Sequence, residues 1–342
     1  MIAFLTQYYR GLGHSQRIKF IAEKTAEFED VIIIDQLFQP PLDYTVEHVS
    51  FLKNYKIPLD SNLFQFIMSS DLINFRIARF IEILETKKIK TLVCEGFPFC
   101  RHQFAHEYIR YFEECKKRNI KIIISVRDFP WDEPHDNQLQ DWVRHRHANS
   151  QQIINNIKDK IHYTGYVCDE NQSETYIGNS NKIFVSTGLN KEEGVLLFKH
   201  IMRIAKDFTE YDFVMPVANR YMSTKYGKKD NLYLVDYIPN LRDKLQYCAA
   251  YITYGGYNAT TEILKGQIPS IVIPRESGRK IEQFARAYVF EPYNFFKVLN
   301  NSEFFKLGET LREVLTNKPN KFTYKLNGAS ESANVITKIH NG

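Results

Sequence analysis

Short apolar runs of four to six residues alternate along this chain with segments whose apolar residues recur every three or four positions, and that alternation leaves few architectures open. It is the rhythm of an α/β protein. Short strands separated by helices favour parallel pairing, since a helix readily supplies the crossover that parallel strands require. In the first half the strands fall at 2–8, 31–34, 91–95 and 120–126, with 161–167 as a last one. One helical face carries Ile18, Ile21, Ala22, Thr25 and Phe28, and a second carries Ile73, Ile77, Phe80, Ile81 and Leu84. A third helix spans 104–115, and the stretch around Pro40-Pro41 and Pro58 reads as irregular.

A polar stretch at 169–181 breaks the rhythm, which then restarts. Strands at 183–186, 213–217, 232–235, 251–254 and 270–273 alternate with helices at 192–208, 241–248, 259–265 and 280–289. The 342 residues exceed what one core usually organises. Two α/β domains with parallel sheets are expected, 1–168 and 169–342, with no internal repeat between them.

Several functional classes drop out. The 45 Lys and Arg against 40 Asp and Glu leave a net charge of +5 over a large surface, a mild lean toward anionic partners with no nucleic-acid signature. No window approaches the roughly 20 apolar residues of a bilayer crossing, and the amino terminus opens as a strand without a basic leader. A cytoplasmic location is expected, with peripheral contact at the inner face of the membrane left open. The five cysteines are odd in number and form no CxxC pair, which points to reduced thiols rather than disulfides or a zinc cage. Arg144-His145-Arg146-His147 lies among polar residues and reads as a solvated helix face.

Ligands of open α/β sheets gather at the carboxyl ends of the strands, so the polar residues there are the candidates. After the first strand comes Arg10-Gly11-Leu12-Gly13-His14-Ser15, a glycine turn opening a helix. It lacks the third glycine of a dinucleotide fingerprint and the Lys-Ser/Thr of a P-loop. His14 suits a general base or a phosphate contact, and a structural helix-start histidine is the plain alternative. Glu95 and Asp128 end later strands. Each is a candidate base or acceptor contact, or else pairs with Arg101 or Arg127. In the second half Gly255-Gly256-Tyr257-Asn258 ends a strand, with Asn258 as expected N-cap and Glu262 one turn inside the helix. Free N–H groups at such a helix start attract phosphate.

Together with a strand end at Pro274-Arg275 and the pair Glu282-Gln283, that order resembles the nucleotide-sugar site of MurG-like GT-B glycosyltransferases, the family 28 C-terminal-domain type, and in particular an uncharacterised MurG-related branch. Arg10 to His14, Phe97-Pro98-Phe99, Ser125 to Asp128 and Tyr163 to Val167 resemble further segments of that branch. The resemblance implies a GT-B fold, two Rossmann-like domains facing across a cleft, the first on the acceptor side and the second holding the donor. It also implies an inverting transfer from a nucleotide diphosphate sugar, UDP-linked, to a hydroxyl of a glycan, a lipid-linked or a small-molecule acceptor. Under it, Glu262 holds the ribose, Gly255 and Gly256 the diphosphate, Gln283 with Glu282 the sugar, and the backbone at Tyr237 and Ile238 the base. Arg275 meets the leaving group, Thr187 and Gly188 stand where a more glycine-rich loop is usual, and Arg10, Gly11 and Gly13 form a phosphate or acceptor loop. The chain has no Asp-x-Asp triplet, which favours a metal-independent site, and no cofactor is expected. The alternatives are a nucleotide-sugar hydrolase or epimerase of the same fold, and a non-catalytic nucleotide-sugar-binding subunit.

Overall fold

A computed structural model of the chain describes residues 1–8, 12–55, 63–97, 101–127, 158–170, 176–186, 191–216, 228–236, 238–274, 281–317 and 324–342. The chain divides into two compact units. One takes 1–129, 160–170 and 325–342, the other 130–159 and 171–324.

The described elements of the first unit begin with β1 (Ile2–Thr6), α1 (Gly13–Thr25), β2 (Val31–Asp35), β3 (Glu47–Ser50), α2 (Leu63–Ile67) and α3 (Ser70–Thr86). They continue with β4 (Thr91–Glu95), α4 (Ala105–Lys117) and β5 (Lys121–Ser125). The strands form one parallel sheet in the order β3-β2-β1-β4-β5. Ile2 to Leu5 are wholly buried because helices cover both faces, which is why this strand reads as an unbroken apolar run instead of an alternation. One face packs Ala3, Leu5, Ile32, Ile34 and Leu92 under α3 and α4, and the other packs Ile2, Phe4, Ile33 and Val93 under α1.

In the second unit β6 (Lys182–Ser186), α5 (Lys191–Ile204), β7 (Asp212–Pro216), β8 (Lys228–Lys229) and β9 (Leu232–Val235) are followed by α6 (Leu241–Leu245), β10 (Ala250–Thr253) and α7 (Tyr257–Gly266). Then come β11 (Ser270–Val272), α8 (Ile281–Phe290), β12 (Phe296–Val298) and α9 (Leu307–Thr316), and α10 (Gly328–Asn341) closes the chain. The sheet order is β12-β11-β10-β6-β7-β9-β8, parallel except for β8, which pairs antiparallel with β9. Both expected parallel sheets are present.

Four local expectations differ. The helix α1 stops at Thr25, where the chain turns toward β2, so Phe28 falls beyond the helical face and is 57% exposed. The irregular stretch holds β3, an edge strand with no fully buried residue and so lacking an apolar run. Residues 161–167 form no strand. The carbonyl of Tyr166 instead accepts the Gly328 N–H, and Cys168 Sγ donates to the carbonyl of Leu326. A Cβ at Gly328 would lie 2.6 Å from backbone of Gly165 and Tyr166, so only glycine lets the two segments meet. The Glu170 carboxylate then accepts the Ala329 and Ser330 N–H groups at 2.9 and 3.0 Å, capping α10 where its orphan donors emerge. Finally, α10 packs on α1, so the last residues join the first unit, whereas a break at 168 assigns them to the second.

Candidate functional site

In each sheet the strand order reverses at one point, and an open α/β sheet leaves its crevice there. In the first unit the reversal lies between β1 and β4, and the candidates from both strand ends meet at it. His14 is the second residue of α1 and Glu95 the last of β4. His14 Nδ1 lies 2.5 Å from Glu95 Oε2. Burial alone would raise the Glu95 carboxyl, but the charge and hydrogen bond of His14, then Arg127 and Arg17, outweigh it and hold the group down at about 2. Burial pulls the His14 imidazole down to about 4, with Glu95 opposing and Arg127 and Arg101 adding to the fall. At neutral pH an ionised Glu95 can only accept, so Nδ1 carries the proton and donates it, leaving Nε2 with its lone pair. The His14 side chain is 22% exposed while Glu95 is 3% exposed. Such an arrangement can take up a proton at Nε2 while the carboxylate behind it orients the ring.

Sequence reasoning missed Arg17 and Asp35, which frame this pair, while Arg127 was already open as a partner of Glu95. Arg17, one turn along α1 from His14 and buried, donates to Ser125 Oγ at 2.8 Å and to the Val126 carbonyl at 2.9 Å, tying the helix to the end of β5. Arg127 Nε stands 3.9 Å from Glu95. Asp35, the last residue of β2, accepts the Tyr8 N–H at 3.0 Å, the Leu37 N–H at 3.2 Å and the Ser15 hydroxyl at 3.3 Å. It thus grips both sides of the glycine-histidine loop. Its burial lifts the carboxyl to about 7 against those three bonds. The available signal was its place, since Asp35 ends a strand as Glu95 does. Gly13 is the first residue of α1; Arg10, Gly11 and Asp128 lie outside the described residues.

In the second unit the reversal lies between β6 and β10, whose register pairs Ser186 with Thr253. The Gly255-Gly256 turn follows β10 at that point. Gly255 has φ +65°, and a Cβ there would sit 2.6 Å from Val272 Cγ1, so glycine is required twice over. A Cβ at Gly256 would meet no described atom within 4 Å, which leaves room above the helix start. The N-cap of α7 is Gly256, not Asn258. Asn258 is the second helical residue, and its carbonyl accepts the Thr261 hydroxyl. Tyr257 is buried, with Arg286 over its ring at 5.4 Å.

Arg286 is the cation that the sequence reading did not select. It is 3% exposed on α8 and donates from Nη1 to the Gly255 carbonyl at 3.2 Å, placing a buried positive charge under the turn. Gln283 is three residues earlier on the same helix and so shares that face. A lone Arg inside the apolar run Phe284 to Phe290 was the missed clue. Glu262 is half-buried and pairs with Arg242 Nε at 3.3 Å; burial raises its carboxyl and Arg242 counteracts. Arg242 belongs to α6, reached from the buried Ile238 through Asn240 in the left-handed conformation. Thr187, Gly188, Tyr237, Arg275 and the Glu282 side chain lie outside the described residues. Among the described residues no three His, Cys, Asp or Glu side chains come together as a metal site, and no helix is long and apolar enough to cross a membrane.

Comparison with known proteins bears on both units. Residues 200–339 match the model of the glycosyltransferase family 28 C-terminal domain. An uncharacterized UDP-glucosyltransferase, YojK, of Bacillus subtilis is 28% identical over 42% of this chain and 34% of its own. The UDP-N-acetylglucosamine–N-acetylmuramyl-(pentapeptide) pyrophosphoryl-undecaprenol N-acetylglucosamine transferase of Thermosipho melanesiensis is 28% identical over 40% of each chain. These matches thus cover well under half of either relative's length. Among solved structures, MurG of Acinetobacter baumannii superposes with a TM-score of 0.56 at 12% identity, covering 98% of this chain and 99% of that one. The UDP-GlcNAc 2-epimerase of Methanocaldococcus jannaschii reaches 0.58 at 10%, covering 100% and 99%. At such identities the likeness establishes the fold, which is GT-B, and the MurG-like resemblance is upheld.

Proposed function

We propose, for a chain that carries a glycosyltransferase family 28 C-terminal domain on a GT-B fold, that it transfers a sugar from a UDP-linked donor to an acceptor hydroxyl with inversion, without a metal ion. The observation that carries this reading is the hydrogen bond from His14 to Glu95, which leaves a neutral imidazole nitrogen at the strand ends able to take a proton. The acceptor O–H proton passes to His14 Nε2 as the oxygen attacks the anomeric carbon and the bond to the diphosphate breaks. Glu95 stabilises the imidazolium that forms. A positioned base contributes a factor of about 100 to 10,000, so it cannot act alone. The remaining stabilisation falls to the departing diphosphate and to alignment of the two substrates.

On the donor side, the N–H groups at the start of α7 face the diphosphate, with Gly256 giving it close approach and Arg286 supplying charge from beneath. Glu262 accepts the ribose hydroxyls, Gln283 contacts the sugar and the backbone at Ile238 meets the base. The roles given to Arg275, Glu282, Tyr237, Thr187, Gly188, Asp128, Arg10 and Gly11 rest on the sequence resemblance. The Thermosipho relative is named for an N-acetylmuramyl-(pentapeptide) pyrophosphoryl-undecaprenol acceptor, which supports a lipid-linked or glycan acceptor here; cytoplasmic action with docking at the inner membrane face belongs to the same proposal.

The test is UDP titration with turnover of UDP-sugars across an acceptor panel. His14→Ala should abolish turnover and keep UDP binding, while Glu262→Ala should weaken UDP about 10- to 100-fold through loss of charge-assisted hydrogen bonds. Unchanged affinity removes Glu262 from the site, and retained turnover excludes His14 as base. Free sugar or an isomer formed from donor alone would make the chain a hydrolase or epimerase, and binding without any turnover a donor-binding subunit.

A further inference from the structure

Glu262 is held by one of its two carboxylate oxygens. Arg242 Nε donates to Oε1 at 3.3 Å, with the two side chains 20% and 18% exposed, and Oε2 accepts no hydrogen bond among the described residues. A pair that serves packing alone looks different in this chain. Arg76 forks onto both oxygens of Glu107 in full burial and leaves neither to spare. A carboxylate gripped on one side and open on the other is arranged to receive a further donor.

The fold places that grip. Arg242 is the second residue of α6, a short helix entered from the buried Ile238 through Asn240 at φ +49°. Leu245, three residues on and wholly buried, anchors the same side of the helix, so Arg242 is turned inward onto Glu262 of α7. The pair thus ties the segment after Ile238 to the helix that follows the Gly255-Gly256 turn. Burial raises the proton affinity of the Glu262 carboxyl, and the guanidinium opposes this by its charge and by its hydrogen bond. The described charged or titratable groups that face Glu262 are Arg242 from α6 and Tyr251 from β10. Burial lifts the Tyr251 phenol above its ordinary range, so it stays neutral and Arg242 supplies the charge. An ionised carboxylate accepts at both oxygens, whereas a protonated one turns one oxygen to donating.

Resting on the donor reading, in which Glu262 meets the ribose, we infer that Arg242 is a positioning residue: by fixing Oε1 it leaves Oε2 to the ribose hydroxyls and so makes the site select a ribonucleotide donor over a 2′-deoxyribonucleotide one. It acts through Glu262. The donors admitted are then ribonucleoside diphosphate sugars, with their deoxyribonucleoside counterparts disfavoured.

The test measures the affinities of the full chain for UDP and for 2′-deoxy-UDP by calorimetry across pH. Their ratio cancels the diphosphate's own titration and reads the contact to the 2′-hydroxyl. The wild type should favour UDP by about 10- to 100-fold while Glu262 is ionised, and lose that preference as pH falls through its titration. In Arg242→Gln the midpoint of this loss should move up by about one pH unit or more, with the preference regained as pH is raised further. Arg242→Lys, which keeps the charge, should stay nearer the wild type. An Arg242→Gln curve that overlays the wild type overturns the inference, and so does an equal loss in both variants that no rise in pH restores, the mark of a purely structural pair. Glu262→Gln separates the two readings. An unchanged preference in that variant removes Glu262 from the ribose, and the donor reading fails; a lost preference there, beside an Arg242→Gln that behaves as wild type, sinks the positioning role alone.

Discussion

Replacing Glu95 by Gln preserves the shape of the residue behind His14 and removes only its charge. In the resting enzyme the amide oxygen of Gln can still accept the Nδ1 proton. The substitution therefore exchanges a charge-assisted hydrogen bond, about 1.5–3 kcal/mol, for a neutral one of about 0.5–1.5. Once His14 has taken the acceptor's proton the difference grows, because an imidazolium and a carboxylate in contact attract by up to about 4 kcal/mol at an effective dielectric near 20. Arg127 and Arg101, no longer opposed by Glu95, further disfavour the imidazolium. The net loss of about 1–4 kcal/mol falls on the transition state, so kcat should drop between about 5- and 1000-fold with UDP affinity unchanged. Initial rates of UDP release at saturating donor, with UDP titration as a control, read this directly. A kcat within about threefold of wild type, or a loss confined to donor affinity, would refute the assignment of Glu95 as the carboxylate supporting a base.

The acid limb of kcat/KM should lie near 4, not near the ordinary 6.5 of histidine, because the base works only while neutral and burial depresses its proton affinity; activity is present above that limb and lost as pH falls through it. A limb near 6.5 would mean that burial does not depress the His14 imidazole. Gly255→Ala forces a Cβ against Val272 Cγ1 at 2.6 Å in a left-handed conformation, so it should lower the melting temperature and weaken UDP binding together; an unchanged UDP titration would show the turn to be indifferent to the ligand. In the first unit, Arg76 forks onto Glu107 at 2.7 and 2.6 Å and donates to the Ile67 carbonyl, all buried. Arg76→Ala strands the carboxylate and should cost about 3–5 kcal/mol, read by denaturant unfolding, and a loss below about 1 kcal/mol would contradict burial of the pair.

The legible parts of the fold were those with a strong local signal. β1, β2 and β4 are buried on both faces and could be read as apolar runs, while the edge strand β3 could not, since solvent lets its residues be polar. The apolar run at 161–167 misled for the opposite reason: Val167 and Cys168 are buried, but against the start of α10, and nothing local says which neighbour an extended segment will find. In the candidate site, His14, Glu95 and the Gly255-Gly256 turn could be picked out because they sit where strands end.

The sequence by itself determined the two runs of alternating strand and helix, the positions of the turns at the strand ends and the glycines those turns require, since each depends on periodicity and backbone sterics within a few residues. The tertiary structure alone decided the pairings. His14 and Glu95 meet across 81 positions, Arg286 reaches Gly255 across 31, and Arg242 reaches Glu262 across 20. Charged side chains carry no periodic signature, and their partners are set by which strands lie side by side and which helix crosses over them, a result of the whole chain's packing.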